Sequence, residues 1–339
     1  MNAKRLPVVL IGAGRMGRNH LRVLRESPRF ELRAVVDAVT KLEPVDLGGA
    51  TLLRTVEELR GIEFDHAVIA TPTATHFEVA LAVIAMGKHL LVEKPLCSTY
   101  DQCRELLAAA QKKDVRVAVG HVERFNPAVR KLREVILKGW VGTPIHYSFT
   151  RAGGYPNTLT TGNNVLLDLA VHDIDVVRSI AGPMRLEASV CHSTVKEDVY
   201  DTAEILLSSK SGTSATVHVN WITPTKLRSV RVTGTRGVCF VDYILQTCEL
   251  IGGNLLDERL PDTAEFERLL ELYKTTDRIQ FGVRKEEPLK VQLEQFYQLV
   301  TRGEPGEICL GDDASRAVQL AEQAVRIEQG RRSAGNEYL

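Results

Sequence analysis

Two short segments of this 339-residue chain carry side chains of the kinds that move protons. KHLLVEKP sets Lys94 between a carboxylate, Glu93, and Pro95 at the end of an apolar run, and LLDLAVHDID sets Asp168 four residues before His172. A lysine at the mouth of a strand can orient a substrate hydroxyl as a compact donor. It can equally be a surface lysine paired with Glu93. Positions four apart on a helix share a face, so Asp168 and His172 can meet. Histidine suits proton transfer near neutral pH, and a neighbouring carboxylate fixes its tautomer. The same spacing also serves plain solvated pairs. Asp173 and Asp175 follow on the same segment.

A second group, His121, Glu123, Arg124 and Asn126, clusters in GHVERFNPAV where the pattern of the chain changes. A hinge facing a cleft suits substrate-contacting side chains, while Asn126 before Pro127 also reads as a helix cap. Arg151, Lys226, Arg228 and Arg231 can grip phosphate oxygens or stand solvated. His20 and His76 read as structural residues beside the first glycine-rich turn.

That turn is what positions the rest. Val8 to Ile11 form an apolar run, and Gly12, Gly14 and Gly17 follow in the Gly-x-Gly-x-x-Gly pattern of a strand turning into a helix. Gly12 permits the tight turn, Gly14 the approach of a pyrophosphate, and Gly17 close packing of helix on strand, with Arg15 and Met16 between the last two. The phosphates would rest on free backbone donors at the helix N-terminus. A second strand, Phe30 to Val36, ends in Asp37, where an acid would accept ribose hydroxyls and repel a 2′-phosphate. NAD is therefore expected over NADP, and Ala38 supplies no cation to reverse the preference.

Further strands are expected at Asp65–Pro72, Lys88–Pro95 and Val115–Gly120, with helices at Thr55–Arg60, His76–Met86 and from Thr99 to about Lys113. Strand and helix alternate, which predicts a doubly wound parallel sheet in residues 1–122. Residues 123–339 predict an α+β domain with a mostly antiparallel sheet. Its strands fall at Ile145–Arg151, Leu186–Thr194, Ala203–Ser208, Ser214–Trp221, Ser229–Gly234, Val238–Tyr243 and Thr247–Ile251. Helices are expected at Pro127 to Gly139, Asn164–Ile180, Glu287–Arg302 and Asp312–Arg331.

Composition sets the outer limits. Lys plus Arg equals Asp plus Glu at 43 each, which argues against nucleic acid or an anionic membrane as main partner. The six cysteines show no Cys-x-x-Cys pair, so reduced thiols in a cytoplasmic protein and no metal site are expected. No apolar run reaches the length of a membrane span.

IGAGRMGRNH, ATPTATHFEVA, GKHLLVEKPL, GHVERFNPAV and DLAVHDID resemble, in this order, the motifs of the glucose-fructose oxidoreductase, inositol dehydrogenase and MocA-like superfamily. The resemblance implies a Rossmann domain followed by a substrate domain with a large open sheet that forms homodimers or homotetramers. It implies that Lys94 is the catalytic lysine, His172 the acid/base histidine and Asp168 its supporting carboxylate. Thr71, Pro72, His76 and Glu93 would line the nicotinamide and its ribose. Within the superfamily, ERFNP followed by DLAVHDID resembles the UDP-N-acetylglucosamine 3-dehydrogenases. Those enzymes make a 3-keto nucleotide sugar that a pyridoxal-phosphate aminotransferase converts for lipid A or surface glycans. Another sugar or inositol dehydrogenase, a deoxysugar ketoreductase and a non-catalytic NAD-binding regulator are the alternative readings. Where many members carry a run of glycines before Asp-x-x-x-His, this chain has Gly162-Asn163-Asn164.

Overall fold

A computed structural model describes residues 5–156, 164–253 and 276–333. The chain divides into two compact units, Met1–Phe125 with Glu287–Glu322 and Asn126–Glu286 with Gln323–Leu339.

In the first unit the chain runs β1 (Leu6–Ile11), α1 (Arg15–Glu26), β2 (Phe30–Val36), α2 (Pro44–Leu47), β3 (Thr51–Leu53), a 3-10 turn at Glu57–Gly61, β4 (His66–Ile69), α3 (Thr73–Ala85), β5 (His89–Glu93), α4 (Tyr100–Lys112) and β6 (Val117–Gly120). The end of the chain adds α7 (Pro288–Arg302) and β15 (Cys309–Leu310). The sheet order is β15-β6-β5-β4-β1-β2-β3. Every pairing in it is parallel except that of β15 with β6. Val8, Val9, Leu10, Ala67, Val68 and Leu90 are all fully buried, as strands covered on both faces must be. Ile11 lies between Val36 on one side and Ile69 on the other. The strand order reverses there, and ligands bind outside the carboxyl ends at such a point. Helix starts follow local chemistry: Thr99 Oγ1 accepts the Gln102 amide at 3.2 Å to begin α4.

A single break after residue 122 is expected; the first unit instead runs to Phe125 and takes up a later segment as well. The segment Glu287–Glu322 belongs to the first unit. Leu289, Leu293, Phe296 and Leu299 form one apolar stripe of α7 and are buried in the same core as Leu24 and Phe30. The Phe296 ring stacks on Phe30 with centroids 6.2 Å apart, and Arg29 pairs with Glu294 at 3.0 Å. The strands β3 and β15 were not anticipated; three and two residues are too short to show a period.

The second unit opens with α5 (Pro127–Leu137) and β7 (Pro144–Ala152). A π-helical turn (Leu166–Ala170) leads into α6 (Val171–Ala181), followed by β8 (Met184–His192), β9 (Thr202–Ser209), β10 (Ser214–Asn220), β11 (Leu227–Gly234), β12 (Val238–Asp242), β13 (Thr247–Gly253) and β14 (Thr276–Phe281). Among the described residues these strands form one sheet ordered β14-β13-β12-β11-β7-β10-β9-β8. Only the β7–β10 pair is parallel. Alternation is clean: Tyr147, Phe149, Ala203, Ile205, Leu207, Ala215, Val217 and Val219 are buried and point to one face. On the other face a row runs through the register Phe240, Arg231, Ser148, Thr216, Leu206 and Ala188. Phe240 and Leu206 in that row are each 39% exposed. The strand β14 escapes sequence reading because TDRIQF carries charges where a strand would carry apolar residues. The last helix, α8 (Gly311–Ser333), closes the described chain. Among the described residues no helix is long and apolar enough to cross a membrane.

Candidate active site

The first unit holds a cradle of the shape that a dinucleotide needs. After β1 the chain turns at Gly12, whose φ of +95° suits glycine alone and where an added Cβ would lie 2.6 Å from the Ala70 carbonyl carbon. A Cβ at Gly17 would run into the Gly12 carbonyl oxygen. Gly14 is different, because a Cβ there meets nothing within 4 Å. It is the N-cap of α1, with no side-chain cap and no acidic residue in the first turn. The first-turn amides of a twelve-residue helix are thus left for an anion. Arg15 is exposed and Met16 partly buried at its entrance.

Asp37 stands immediately after β2. Its Oδ2 accepts the Ala13 amide at 2.6 Å, and its Oδ1 accepts the amides of Thr40 at 2.6 Å and Val39 at 3.0 Å. Burial alone would raise its pKa, but the Thr40, Ala13 and Val39 donors outweigh burial and hold it below the usual carboxylate range. Sequence reading missed a cation here. Arg54 donates to the main-chain oxygens of Asp37 at 3.0 Å and Thr40 at 3.1 Å; its distance along the chain hides it from a motif search.

Beside Gly12, at the end of β4, Thr71 Oγ1 is buried with no hydrogen-bond partner among the described residues. Pro72 is the N-cap of α3. His76, 1% exposed, faces main-chain carbonyls with both ring nitrogens, Nδ1 to Pro95 at 2.8 Å and Nε2 to Thr71 at 2.9 Å. Burial pushes its pKa down, against the pull of those carbonyls. Glu93 and Lys94 end β5, and the peptide bond before Pro95 is cis. Glu93 Oε1 is bound by His20 Nε2 at 2.6 Å. Lys94 is half-buried. The uncapped helix, the glycine clearances and the orphaned Thr71 hydroxyl all fit NAD as the group these residues would hold.

Of the hinge cluster, Arg124 is 6% exposed, pairs with Asp313 at 3.6 Å and donates to the Glu307 carbonyl at 3.4 Å. Glu123 beside it is partly buried.

In the second unit Asp168 sits on the π-helical turn and His172 in the first turn of α6. A single regular helix was expected here; the wide turn covers the segment that carries Asp168, and such turns are frequent at functional sites. Asn164 Oδ1 accepts the Leu167 amide at 2.9 Å as the segment begins, while Gly162 and Asn163 lie outside the described residues. Asp168 Oδ2 accepts from the indole Nε1 of Trp221 at 3.0 Å. Trp221, 1% exposed, follows β10; an indole donor ending a strand pattern was its only sequence signal.

Three residues expected to contact substrate have partners within the fold. Arg151 is 3% exposed and forms a bidentate pair with Asp173 through two 2.9 Å bonds. The fork of the guanidinium matches the two carboxylate oxygens inside the fold. Asn126 caps α5, accepting the Ala128 amide at 3.1 Å and donating to the Tyr243 carbonyl at 3.1 Å. Arg124 is likewise engaged by Asp313 and Glu307. Arg228, of the outer cations, donates to the carbonyls of Ala152 and Gly153.

A doubly wound unit with a dinucleotide cradle, joined to an α+β unit bearing an aspartate and a histidine, defines a nicotinamide-dependent oxidoreductase. Residues 6–121 match the family described as "Oxidoreductase family, NAD-binding Rossmann fold", and residues 129–239 match the "GFO/IDH/MocA C-terminal domain". The chain is 30% identical to the rhizopine catabolism protein MocA of Rhizobium meliloti over 219 residues, 61% of this chain and 69% of that one. It is 25% identical to a UDP-N-acetylglucosamine 3-dehydrogenase of Acidithiobacillus ferrooxidans over 244 residues, 71% of this chain and 75% of that one. Among solved structures, GenD2 from gentamicin A biosynthesis in complex with NAD superposes with a TM-score of 0.78 at 27% identity, covering 97% of this chain and 95% of GenD2. The chain belongs to the GFO/IDH/MocA family of oxidoreductases.

Proposed function

We propose that the protein oxidises the 3-hydroxyl of UDP-N-acetylglucosamine to a 3-keto nucleotide sugar. The observation that carries this reading is Lys94 immediately after β5, at the carboxyl edge of the sheet on which the Gly12–Gly17 turn opens. The choice of sugar is supported by the ERFNP and DLAVHDID segments and by the similarity to the Acidithiobacillus enzyme. NAD, when bound, supplies the hydride acceptor. His172, supported by Asp168, takes the hydroxyl proton while hydride leaves the same carbon. Lys94 donates a hydrogen bond to that oxygen and stabilises the negative charge that develops on it. Asp37 accepts the adenosine ribose hydroxyls, Thr71, Pro72 and Glu93 line the nicotinamide ribose, and Glu123 contacts substrate. His76 supports this wall through the Thr71 and Pro95 carbonyls.

The product is a ketone poised for transamination, so a pyridoxal-phosphate aminotransferase is the functional partner that the reading implies. The open sheet face with Phe240 and Leu206 suits a homo-oligomer. Incubating the protein with NAD, UDP-N-acetylglucosamine and a 2-oxo acid to recycle the nicotinamide tests the reaction directly. Mass spectrometry should show a UDP-sugar lacking two hydrogens. Oxidation of myo-inositol in a parallel reaction, with the UDP-sugar left intact, would replace the nucleotide sugar by a polyol.

A further inference from the structure

The two histidines that read as packing residues in the sequence hold the Lys94 turn from both sides. His20 lies on α1, fully buried, and donates from Nε2 to Glu93 Oε1 at 2.6 Å. Its Nδ1 is buried with no hydrogen-bond partner among the described residues. Because the carboxylate oxygen can only accept, the proton in this bond sits on Nε2. The other oxygen of Glu93 accepts the amide of Lys94 at 3.3 Å. Past Lys94, the Pro95 carbonyl faces His76 Nδ1 at 2.8 Å.

The Glu93 carboxylate occupies the space that a side chain at residue 120 would enter. Gly120 stands opposite Glu93 across the β5–β6 pair, and a Cβ there would lie 2.9 Å from both Cδ and Oε1 of Glu93 and 3.0 Å from Oε2. A carboxylate only 8% exposed is a poor way to fill space, since an apolar side chain would do so without desolvating a charge. What the arrangement provides is a defined place for one peptide group. It also links that peptide to α1, the helix whose open N-terminus receives the dinucleotide.

We propose that His20 is a positioning residue: by holding the Glu93 carboxylate over Gly120, it fixes the backbone at Lys94 and ties its placement to the cofactor helix. The proposal rests on the reading of Lys94 as the group that touches the reacting oxygen.

The experiment compares wild type, His20→Leu and His20→Gln. Leucine removes the donor, and glutamine returns an N–H near the position of Nε2. Each protein is treated with trinitrobenzenesulfonate, with and without NAD, and the labelling rate of Lys94 is read by peptide mass mapping against the exposed Lys210. Melting temperatures are recorded alongside. With His20→Leu, Lys94 should label about threefold faster or more, and His20→Gln should return most of the way to wild type. Where wild type oxidises UDP-N-acetylglucosamine or myo-inositol, kcat of His20→Leu should fall about tenfold or more while KM for NAD moves far less, the scale expected of a misplaced catalytic group. Lys94 labelling that is the same in wild type and His20→Leu overturns the proposal. So do equal defects in both variants that follow a fall in melting temperature. Labelling needs no sugar, so a wild type that oxidises neither compound sinks the substrate reading and leaves this test intact.

Discussion

Trp221 donates its indole N–H to Asp168 Oδ2 at 3.0 Å, from a ring that is 1% exposed. A bond to a carboxylate is stronger than one between neutral groups and holds the acceptor in one orientation. Trp221→Phe keeps an aromatic ring in the space and removes the donor. We expect its kcat to fall about tenfold, the scale of a lost hydrogen bond to a charged group. Asp168→Asn should lose more, and adding Trp221→Phe to it should then change little further. Steady-state kinetics of the two single variants and the double variant checks this; full additivity would show that the indole serves packing alone.

The three glycines of the first turn should part company when each is changed to alanine. Gly14→Ala places a methyl group in open space at the N-cap of α1. It should fold normally and bind NAD about tenfold or more weakly, the effect of crowding a backbone-to-phosphate approach. Gly17→Ala puts a methyl group against the Gly12 carbonyl and should lower the melting temperature sharply. Gly12→Ala adds backbone strain at φ +95° to a clash with Ala70 and should do the same. Calorimetry for binding and thermal melts for stability separate the two classes. Weakened folding in Gly14→Ala would remove the pyrophosphate from that site.

Asp37→Ser addresses cofactor choice. The carboxylate would repel a 2′-phosphate, whereas Arg54, anchored on the Asp37 and Thr40 carbonyls, is a cation already in place. Wild type should prefer NAD, and the variant should move toward NADP by about tenfold or more in the ratio of kcat/KM. An unchanged ratio would mean that Asp37 does not meet the ribose.

His66 gives the first unit a pH response of known sign. Burial, opposed by the Pro7 carbonyl and modified by His89, Asp65 and Lys88, lowers its pKa from 6.5 to about 4. The unfolded chain therefore takes up a proton near neutral pH that the folded chain refuses until about pH 4. Above the ordinary histidine range this group has no effect on stability. Stability falls as pH drops from about 6.5 to about 4. His66→Phe, whose ring can meet Phe30 and Phe296 as the imidazole does, should flatten that slope in thermal melts. An identical slope would assign the response to other groups.

Much of this architecture is written locally. Val8–Ile11 before Gly12, the strands from Ile145 to Ile251, and the cap residues Thr99 and Asn126 all announce themselves through neighbours a few positions away. The alternation of β9 and β10 reports which face is covered because burial has a period of two. Pairings across the chain leave no such trace. Glu93 meets His20 at a separation of 73 residues, and Asp168 meets Trp221 at 53. The Arg151–Asp173 pair, 22 residues apart, leaves no local trace either. Asn126 shows the converse: its capping role was legible, and it is the role observed.

The edge of the first sheet has a consequence for how the protein is made. Cys309–Leu310 is the antiparallel strand that covers β6, and Phe296 fills the core beside Phe30. A ribosome must therefore release the chain past residue 310 before the segment Met1–Phe125 can finish folding. Until then the growing chain carries an uncovered strand and an unfilled apolar hollow, so its vulnerable interval lasts through synthesis of the whole second sheet.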